Sequence, residues 1–375
     1  MIKSLFLSVL VLSLCVSCRS LHVNRTDPSY APEVVLKLEP KENNPRNSEG
    51  SFVTLKDGRI LFVYSHYTGE GSSDHDPAYL AGRYSDDGGK TWTADDELVV
   101  DNEGNMNVMS VSLLRLKNGA IALFYLKKNS TEDCIPLMRI SIDEAKTWSE
   151  PVTCITDKKG YFVLNNDRVI QLENGRLLMV VALHKTPEEG IWHKKAKLYS
   201  YYSDDNGKTW KRGNEVPTPA DIITQEPGVI ELKDGKILMF IRTNGGVQYF
   251  SYSTDKGRSW SPAERSSLHS PLSPASIKRI PKTGDLLAVW NNNDGTIDSI
   301  KGKRTPLSLA ISKNEGLSWE KIKNIETDPD GWYSYIAIHF VDDDVLLGYG
   351  AGSQSKKTHL SVTDITKIDL RWVYQ

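Results

Sequence analysis

The sequence predicts an all-β protein built from repeats, because two short motifs recur along the chain at similar intervals. The first motif is Ser-x-Asp-x-Gly-x-(Thr/Ser)-Trp, in which Asp accepts hydrogen bonds within its own turn and Gly takes a left-handed conformation. Its Trp residues are 50 to 62 residues apart and can pack between repeats. A period of this size indicates that each repeat is one supersecondary unit. The five copies occupy residues 85–92, 141–148, 203–210, 253–260 and 312–319, with Ala145 replacing Gly and Asn314 replacing Asp.

The second motif is a turn signal between two apolar runs, and it predicts six β-hairpins. Asn-Gly and Asp-Gly are favoured in two-residue hairpin turns. The central positions are Gly58, Gly119, Gly175, Gly235, Gly284 and Asp344, the last in a glycine-free turn at Asp343-Asp344. We expect strands near residues 34–38 and 370–373, from the two chain ends, to complete the last unit.

The first motif resembles the Asp box of sialidases and related β-propellers. Together with six hairpins, it predicts a six-bladed β-propeller of about four strands per blade over residues 32–375. The formal net charge of −2 does not favour nucleic acid or an anionic membrane surface as a partner. Asp boxes also occur in propellers that are not enzymes, so the repeats alone predict no activity.

Residues 1–18 read as a lipoprotein signal peptide. Lys3 provides the positive end and residues 5–14 provide an apolar core that is too short to span a bilayer. Ser17-Cys18 resembles a bacterial lipobox, which predicts lipidation at Cys18; Cys15 stands where Leu is usual, so plain secretion is the alternative. Residues 19–31 read as a tether. These features predict an exported cell-envelope lipoprotein that meets the membrane only through its lipid.

Two cysteines remain in the predicted mature body, and neither looks catalytic. Cys134 and Cys154 flank the second Asp-box turn symmetrically. Two interpretations therefore remain: a cross-strand disulfide, or two small buried residues without a bond. No Cys/His group has zinc spacing, and no Gly-rich phosphate loop is present. We therefore expect neither a metal nor an organic cofactor.

The resemblance to sialidases covers most of residues 47–350 and implies a set of site residues. Sialidases combine an arginine triad for the substrate carboxylate with a Tyr nucleophile, a Glu that activates it and an Asp acid/base. The segment 225–235 matches the family's Glu-to-Arg segment, which makes Glu226 the base and Arg242 a carboxylate ligand. Arg304, before an apolar strand and the fifth Asp box, is a second carboxylate ligand. Its guanidinium suits bidentate binding of a carboxylate.

The nucleophile and the acid are also implied by position. The segment Gly331-Trp332-Tyr333-Ser334-Tyr335-Ile336 resembles the family's tyrosine segment, which makes Tyr333 the nucleophile, with Tyr335 close enough to be confused with it. A phenol avoids the repulsion that an anionic nucleophile would meet from the substrate carboxylate. The loop 65–77 corresponds to the family's acid/base loop, so Asp74 is the predicted acid/base and Asp76 the fallback. Two close carboxylates can raise one pKa, as an acid catalyst needs.

The sequence departs from the family where the first arginine is expected. Arg46 lies in the preceding loop, Glu49 lies near the arginine's usual place, and Gly350 occupies the place of the supporting Glu. Glu49 would contact a hydroxyl or an amine better than a carboxylate. Arg168 is a candidate replacement cation, and a salt bridge to Asp167 is the alternative role for it.

The resemblance implies a retaining exo-glycosidase that releases a terminal keto sugar acid, sialic acid by default, from a glycan. The altered first-arginine region favours a rival substrate, a Kdo-like or other ulosonic acid. A second rival is a non-catalytic glycan-binding propeller, which would be insensitive to Tyr333→Phe. The sequence does not predict the oligomeric state.

Overall fold

The computed structural model describes residues 30–375 and is all-β apart from two short helical turns. The predicted signal peptide, Cys18 and the tether up to residue 29 lie outside the described residues. A 3₁₀ turn covers Asp298–Ile300, and the short helix α1 covers Leu370–Tyr374. In the described part of the chain, no helix has the length and apolarity needed to cross a membrane.

The strands form five sheets. The first sheet runs β2 (Asn47–Thr54), β3 (Ile60–Tyr67), β4 (Ala78–Ser85) and β5 (Glu97–Val100). The second has nine strands: β6 (Asn107–Arg115), β7 (Ile121–Ser130), β8 (Asp133–Ser141), β9 (Val152–Thr153), β10 (Tyr161–Val163), β11 (Ile170–Gln171), β12 (Leu177–Lys185), β13 (Lys197–Ser203) and β14 (Lys211–Glu215).

Three further four-stranded sheets follow. One runs β15 (Thr224–Glu231), β16 (Ile237–Thr243), β17 (Val247–Ser253) and β18 (Glu264–His269). The next runs β19 (Ser276–Arg279), β20 (Leu286–Trp290), β21 (Leu307–Ser312) and β22 (Glu320–Glu326). The last contains β23 (Gly331–Val341), β24 (Asp344–Ser353), β25 (Thr363–Asp369) and the N-terminal strand β1 (Glu33–Leu38).

Contacts between strands of different sheets link each sheet to the next along the chain, and the last sheet to the first. Strand β2 contacts β6, β12 contacts β15, β15 contacts β19, β19 contacts β23, and β23 contacts β2. The nine-stranded sheet joins two of the predicted units through β10, which pairs antiparallel with β12 and, at Tyr161 and Cys134, parallel with β8. Sequence patterns do not predict such a single bridging pair, because it depends on a loop crossing between two units.

Both chain ends meet in the last sheet, as predicted, although only one of the two predicted segments is a strand. Strand β1 pairs antiparallel with β25. Residues 370–373, predicted as a strand, instead lie in α1. The carboxylate of Asp369 accepts a hydrogen bond from the amide of Arg371 and caps this helix, which buries Leu370, Trp372 and Val373.

Four of the five Asp-box turns share one hydrogen-bond pattern, and in the fifth the Asn314 amide donates to the Ser318 hydroxyl instead of accepting from it. In the third copy, the amide of Gly207 donates to the Ser203 hydroxyl at 2.8 Å, and Asp205 accepts from both the amide and the hydroxyl of Thr209 at 2.9 and 2.7 Å. Ala145 in the second copy adopts φ 64°, so the turn keeps its left-handed shape without glycine. The polar residues of the motif therefore satisfy the turn locally, and its Asp is structural.

The six predicted hairpins are present. The five glycine turns have positive φ at Gly58, Gly119, Gly175, Gly235 and Gly284. In the last hairpin Val341 pairs with Asp344, so the two turn residues are Asp342 and Asp343, one residue earlier than predicted. Asp342 takes the left-handed position there, with φ 50°.

Apolar side chains fill the space between neighbouring sheets. One cluster, for example, packs Leu238 and Phe240 of β16 against Ile277 and Trp290 of the next sheet. Cys134 and Cys154 both lie in another cluster, fully buried and with free thiols. The structure thus agrees with the reading of two small buried residues and not with the disulfide.

The Asp-box turns should make the free energy of unfolding depend on acid pH. Hydrogen bonds from the hydroxyl and the amide of Thr147 lower the pKa of Asp143 to about 2. The stabilisation is complete above the unfolded-state pKa, about 4, and is lost as pH falls toward 2. We expect the urea midpoint to fall between pH 4 and pH 2. Asp143→Asn, which introduces the residue found in the fifth turn, should make this fall in the urea midpoint smaller. A fall as large as that of wild type would contradict the prediction.

Candidate active site

Four innermost strands carry a β-bulge at the same place, and each bulge holds one polar side chain. The register shifts by one residue in β2, β6, β15 and β23. The bulged residues are Glu49 (φ 58°), Ser110 (φ 60°), Glu226 (φ 42°) and Tyr335 (φ 57°). Left-handed backbone is uncommon for residues other than glycine, and bulges re-aim side chains near functional sites. These four residues divide into two clusters.

The Glu226 cluster consists of Glu226, Arg242, Arg304 and Tyr335. The Tyr335 hydroxyl donates to one Glu226 carboxylate oxygen at 3.1 Å, and Arg242 Nη1 donates to the other at 2.5 Å. The Arg304 guanidinium lies 5.5 Å from the centre of the Tyr335 ring and 4.9 Å from that of Trp332. Three of the predicted site residues, Glu226, Arg242 and Arg304, are thus brought together.

Two guanidinium groups of this cluster keep buried donors without a hydrogen-bond partner among residues 30–375. They are Arg242 Nε and Arg304 Nη1. Buried polar atoms are nearly always paired in native proteins, and guanidinium donors match the geometry of a carboxylate. This pair of donors is therefore suited to an anionic ligand.

The charges of the cluster keep the proton on the phenol and the negative charge on the carboxylate in the free protein. Burial by itself would raise the pKa of Glu226, but the cations of Arg242 and Arg304 bring it below the usual value for Glu. Burial and the Glu226 charge raise the pKa of Tyr335 to about 12. At neutral pH the pair is therefore a carboxylate and a phenol, joined by one hydrogen bond that the phenol donates.

The structure does not bring Tyr333, the predicted nucleophile, to this cluster and places Tyr335 there instead. Tyr333 is 6% exposed and packs in the core, with its ring 6.2 Å from that of Tyr349. Side chains alternate along a strand, but the bulge between Ser334 and Ala337 changes which residue faces the centre. Glu49, Ser110 and Glu226 each lie nine residues before a central hairpin position. The same offset from Asp344 selects Tyr335, so the signal was present in the sequence.

The Arg46 cluster consists of Arg46, Glu49, Asp74 and Ser110. Arg46 Nη1 donates to the Asp74 carboxylate at 2.6 Å and Nη2 donates to that of Glu49 at 3.0 Å. Arg46 Nε donates to the Ser48 hydroxyl at 2.9 Å, and the Ser110 hydroxyl donates to Glu49. Burial raises the pKa of Glu49 in spite of the Arg46 cation. Arg46 is 2% exposed, so it is largely committed to protein partners.

The loop that carries Asp74 is held from below by two side chains. Asn107 Nδ2 donates to the carbonyls of Asp74 and Asp76 at 2.9 and 2.8 Å, and Lys128 Nζ donates to that of Asp74. The Asp74 side chain is 54% exposed and pairs with Arg46, whereas the Asp76 carboxylate accepts the amide of Ser73 at 2.7 Å. Asp74 is therefore the better placed of the two acids.

The expected rise in the pKa of Asp74 is wrong. Burial does raise it, but the charge and hydrogen bond of Arg46 outweigh burial and lower the pKa of Asp74. In the sequence, Asp76 is the only neighbouring charge that was expected to act on the pKa of Asp74. The sequence could not show the distant arginine whose guanidinium lies against this carboxylate.

Arg168 lies beneath the Glu226 strand and not in the Arg46 cluster. It is 3% exposed, sits 5.0 Å from the centre of the Phe240 ring and donates to the Ala275 carbonyl at 2.6 Å. Burial lowers the pKa of Arg168 to about 10. The Asp167 carboxylate instead pairs with Lys278 at 2.7 Å and accepts the Ile338 amide at 2.9 Å. Lys278, and not Arg168, thus makes the salt bridge to Asp167.

Asn166 is a residue that the sequence argument missed. Its side-chain amide donates to the Gly50 carbonyl at 2.8 Å and to the Tyr335 carbonyl at 2.9 Å. It thereby links the strand of Glu49 to the strand of Tyr335 and brings the two clusters side by side. Asn166 also lies nine residues before Gly175, so the hairpin offset identifies it.

Within residues 30–375 no group of three or more His, Cys, Asp or Glu side chains is arranged to hold a metal ion. The polar groups of both clusters are instead arranged around arginines, carboxylates and one phenol.

Comparison with known proteins gives the class of this fold and site. Residues 68–347 match the family model of the BNR repeat-like domain. The chain belongs to the sialidase/BNR-repeat family.

Several relatives are named sialidases. The chain is 24% identical over 358 residues to a sialidase of Bacteroides fragilis (strain YCH46), covering 85% of this chain and 61% of the relative. It is 28% identical over 267 residues to a sialidase of Clostridium perfringens, covering 62% and 66%. A sialidase of Paraclostridium sordellii is 27% identical over 237 residues and is covered to 56%. The chain thus spans about three fifths of the length of these relatives.

Solved structures share the fold. The Hadza microbial sialidase Hz136 has a TM-score of 0.71 at 18% identity, over 88% of this chain and 66% of that chain. A protein of unknown function from Dyadobacter fermentans DSM 18053 has a TM-score of 0.70 at 21% identity, over 90% and 99%.

Proposed function

We propose that this protein is a retaining exo-glycosidase of the sialidase type, built on a six-bladed β-propeller. The contacts that link each sheet to the next and the last sheet to the first, together with the six hairpins, support the propeller. The observation that carries the activity is the hydrogen bond between Tyr335 and Glu226, beside two arginines with unpartnered buried donors. The proposed substrate is a glycan ending in a keto sugar acid, with sialic acid as the first candidate.

In the proposed first step, Glu226 accepts the phenolic proton of Tyr335. As this proton leaves, the phenol oxygen attacks the anomeric carbon, and the bond to the leaving-group oxygen breaks. Because the reacting carbon bears a carboxylate, a neutral phenol approaches it without charge repulsion. Arg242 and Arg304 would bind the substrate carboxylate through their free donors.

In the same proposal, Asp74 protonates the leaving-group oxygen and then activates the water that releases the sugar acid from Tyr335. Its half-exposed side chain, on a loop held by Asn107 and Lys128, supports this role. The Arg46 cation favours the ionised form, so the acid function of Asp74 would be strongest at acid pH.

One observation favours a second candidate substrate, another ulosonic acid. The donors of Arg46 are engaged by Ser48, Glu49 and Asp74, and this residue is buried. A substrate carboxylate would therefore meet two arginines with free donors, and Glu49 in place of a third. A different hydroxyl pattern at that place would suit the Glu49 carboxylate.

A non-catalytic glycan-binding role is the rival from another class. A binding site needs cations for an anionic sugar, but it does not need a tyrosine hydrogen-bonded to a buried carboxylate. Positive φ at both Glu226 and Tyr335 also indicates that backbone strain is maintained at these residues. These features favour the enzyme.

The test is hydrolysis of fluorogenic α-glycosides of sialic acid and of a Kdo-like acid by a chain lacking residues 1–18. Turnover of the first supports the sialidase reading, and turnover of the second alone supports the other substrate. Binding of the free acids without any turnover would support the binding module. A folded protein with neither activity nor binding would contradict the proposal.

Asp74→Asn should reduce kcat/KM for sialyllactose about 10²-fold, because Asn cannot protonate the sugar leaving group. For sialyl fluoride, whose leaving group needs no proton in the glycosylation step, kcat/KM should fall much less. Steady-state kinetics with both substrates make the comparison, and Asp76→Asn serves as the matched control. Equal losses on both substrates would contradict the acid role.

The predicted localisation is kept as a proposal: export, with lipidation at Cys18. Incorporation of labelled palmitate into the full-length chain, and its loss in Cys18→Ala, would support it. A processed wild-type protein without lipid would indicate plain secretion.

A further inference from the structure

An exposed aromatic surface lies beside the proposed acid loop and is used by none of the roles described so far. We call it the aromatic platform: the exposed residues His75 and Trp192 form its surface, and the buried rings of Tyr161 and His184 support them. Trp192 is 47% exposed and its neighbour Ile191 is 63% exposed. Both belong to the loop between β12 and β13. Large exposed apolar side chains in adjacent positions are a common mark of a binding surface.

The Trp192 ring is fixed from behind. It stacks on the buried ring of His184, with ring centres 4.7 Å apart and planes 5° from parallel. The edge of Tyr161 meets it at 5.0 Å. The His193 amide donates to the His184 carbonyl, and His184 Nδ1 contacts the His193 carbonyl at 2.8 Å, so the loop is tied to its strand at both ends. A ring held in this way loses little freedom when a ligand binds.

The platform is continuous with the proposed acid loop. Tyr161 meets the ring of His75 edge-on at 6.4 Å, and His75 directly follows Asp74. Lys128 Nζ, which donates to the Asp74 carbonyl, lies 5.3 Å from the centre of the Tyr161 ring. Burial lowers the pKa of His184, and the charges of Glu226 and Arg242 also act on it. The platform therefore borders the acid loop.

We infer that Trp192 forms a binding site for the sugar that the proposed reaction releases. The acid must protonate the oxygen that joins the two sugars, so the leaving sugar lies on the Asp74 side of the site. A neutral pyranose presents an apolar face of C–H groups that matches a flat aromatic ring. This inference rests on the proposed function.

The test compares two substrates that share the sialic acid and differ in the leaving group. Sialyllactose carries a sugar leaving group, and sialyl fluoride carries none. Trp192→Ala should lower kcat/KM for sialyllactose about tenfold, which corresponds to ~1.4 kcal/mol, and should leave sialyl fluoride within about twofold. Trp192→Phe, which keeps an aromatic ring, should recover most of the loss.

Ile142→Ala provides the control, since Ile142 is 84% exposed in an Asp-box turn and takes no part in the platform. It should leave kcat/KM unchanged for both substrates, and thermal unfolding would show that all variants are folded. Suppose that wild type hydrolyses both compounds, and that Trp192→Ala lowers kcat/KM equally for both or for neither. This inference is then overturned while the proposed function stands. If wild type hydrolyses neither, the proposed function fails and the inference falls with it.

Discussion

Tyr335→Phe is expected to lower kcat for the fluorogenic sialoside by at least about 10³-fold, because phenylalanine keeps the ring and removes the proposed nucleophile. The ring packs beside Arg304 and the backbone is held by Asn166, so the variant should fold normally. Binding of free sialic acid should persist, since Arg242 and Arg304 are unchanged. Steady-state kinetics and calorimetric titration measure the two effects.

Tyr333→Phe is the matched control, two residues away on the same strand. Its ring packs against Tyr349 in the core, away from Glu226. It should keep kcat within a few-fold of wild type. The opposite result, with Tyr333→Phe inactive and Tyr335→Phe active, would return the nucleophile to Tyr333.

Glu226→Gln is expected to cost both activity and stability. The amide cannot accept the Tyr335 proton as a carboxylate does, so kcat should fall about 10²- to 10⁴-fold. Arg242 would also lose the charge of its 2.5 Å partner in a site where both side chains are about nine-tenths buried. Leaving a buried cation unpaired should lower the free energy of unfolding by ~3 kcal/mol. Kinetics and urea unfolding give the two values.

Glu231→Gln separates these effects from any general sensitivity of strand β15. Glu231 lies on the same strand and pairs with Lys256 at 3.0 Å, at the hairpin end and away from Tyr335. It should leave kcat unchanged and cost less stability. A Glu226→Gln variant with wild-type kcat would remove the proposed base from the mechanism.

The turns were predictable from sequence because their chemistry is local. Ser203, Asp205 and Thr209 satisfy one another within seven residues, so the motif predicts the turn without knowledge of the rest of the chain. Asn-Gly and Asp-Gly hairpins are local in the same sense. The helix at residues 370–374 was missed because an apolar run of that length fits a strand or a helix, and the cap at Asp369 decided between them.

The site was predictable only in part, because its contacts join distant segments. Glu226 and Arg242 are paired across one hairpin, which the spacing predicts. The contact of Arg46 with Asp74 joins residues 28 apart through a loop conformation, and it reverses the expected pKa shift. Tyr335 lies where Tyr333 was predicted, because a bulge changes which residue of the strand faces the centre and leaves no mark in the apolar pattern.

Because the bulges lie at equivalent places, the side chains at the centre can differ while the sheets that carry them stay the same. Glu49, Ser110, Glu226 and Tyr335 occupy equivalent left-handed positions, so an exchange at one of them changes the chemistry at the centre while the sheets stay the same. Asn, Asp and Gly tolerate that backbone geometry well, whereas β-branched residues do not. Diversification of this chain toward new substrates is therefore expected to be narrow in residue type and concentrated at these positions.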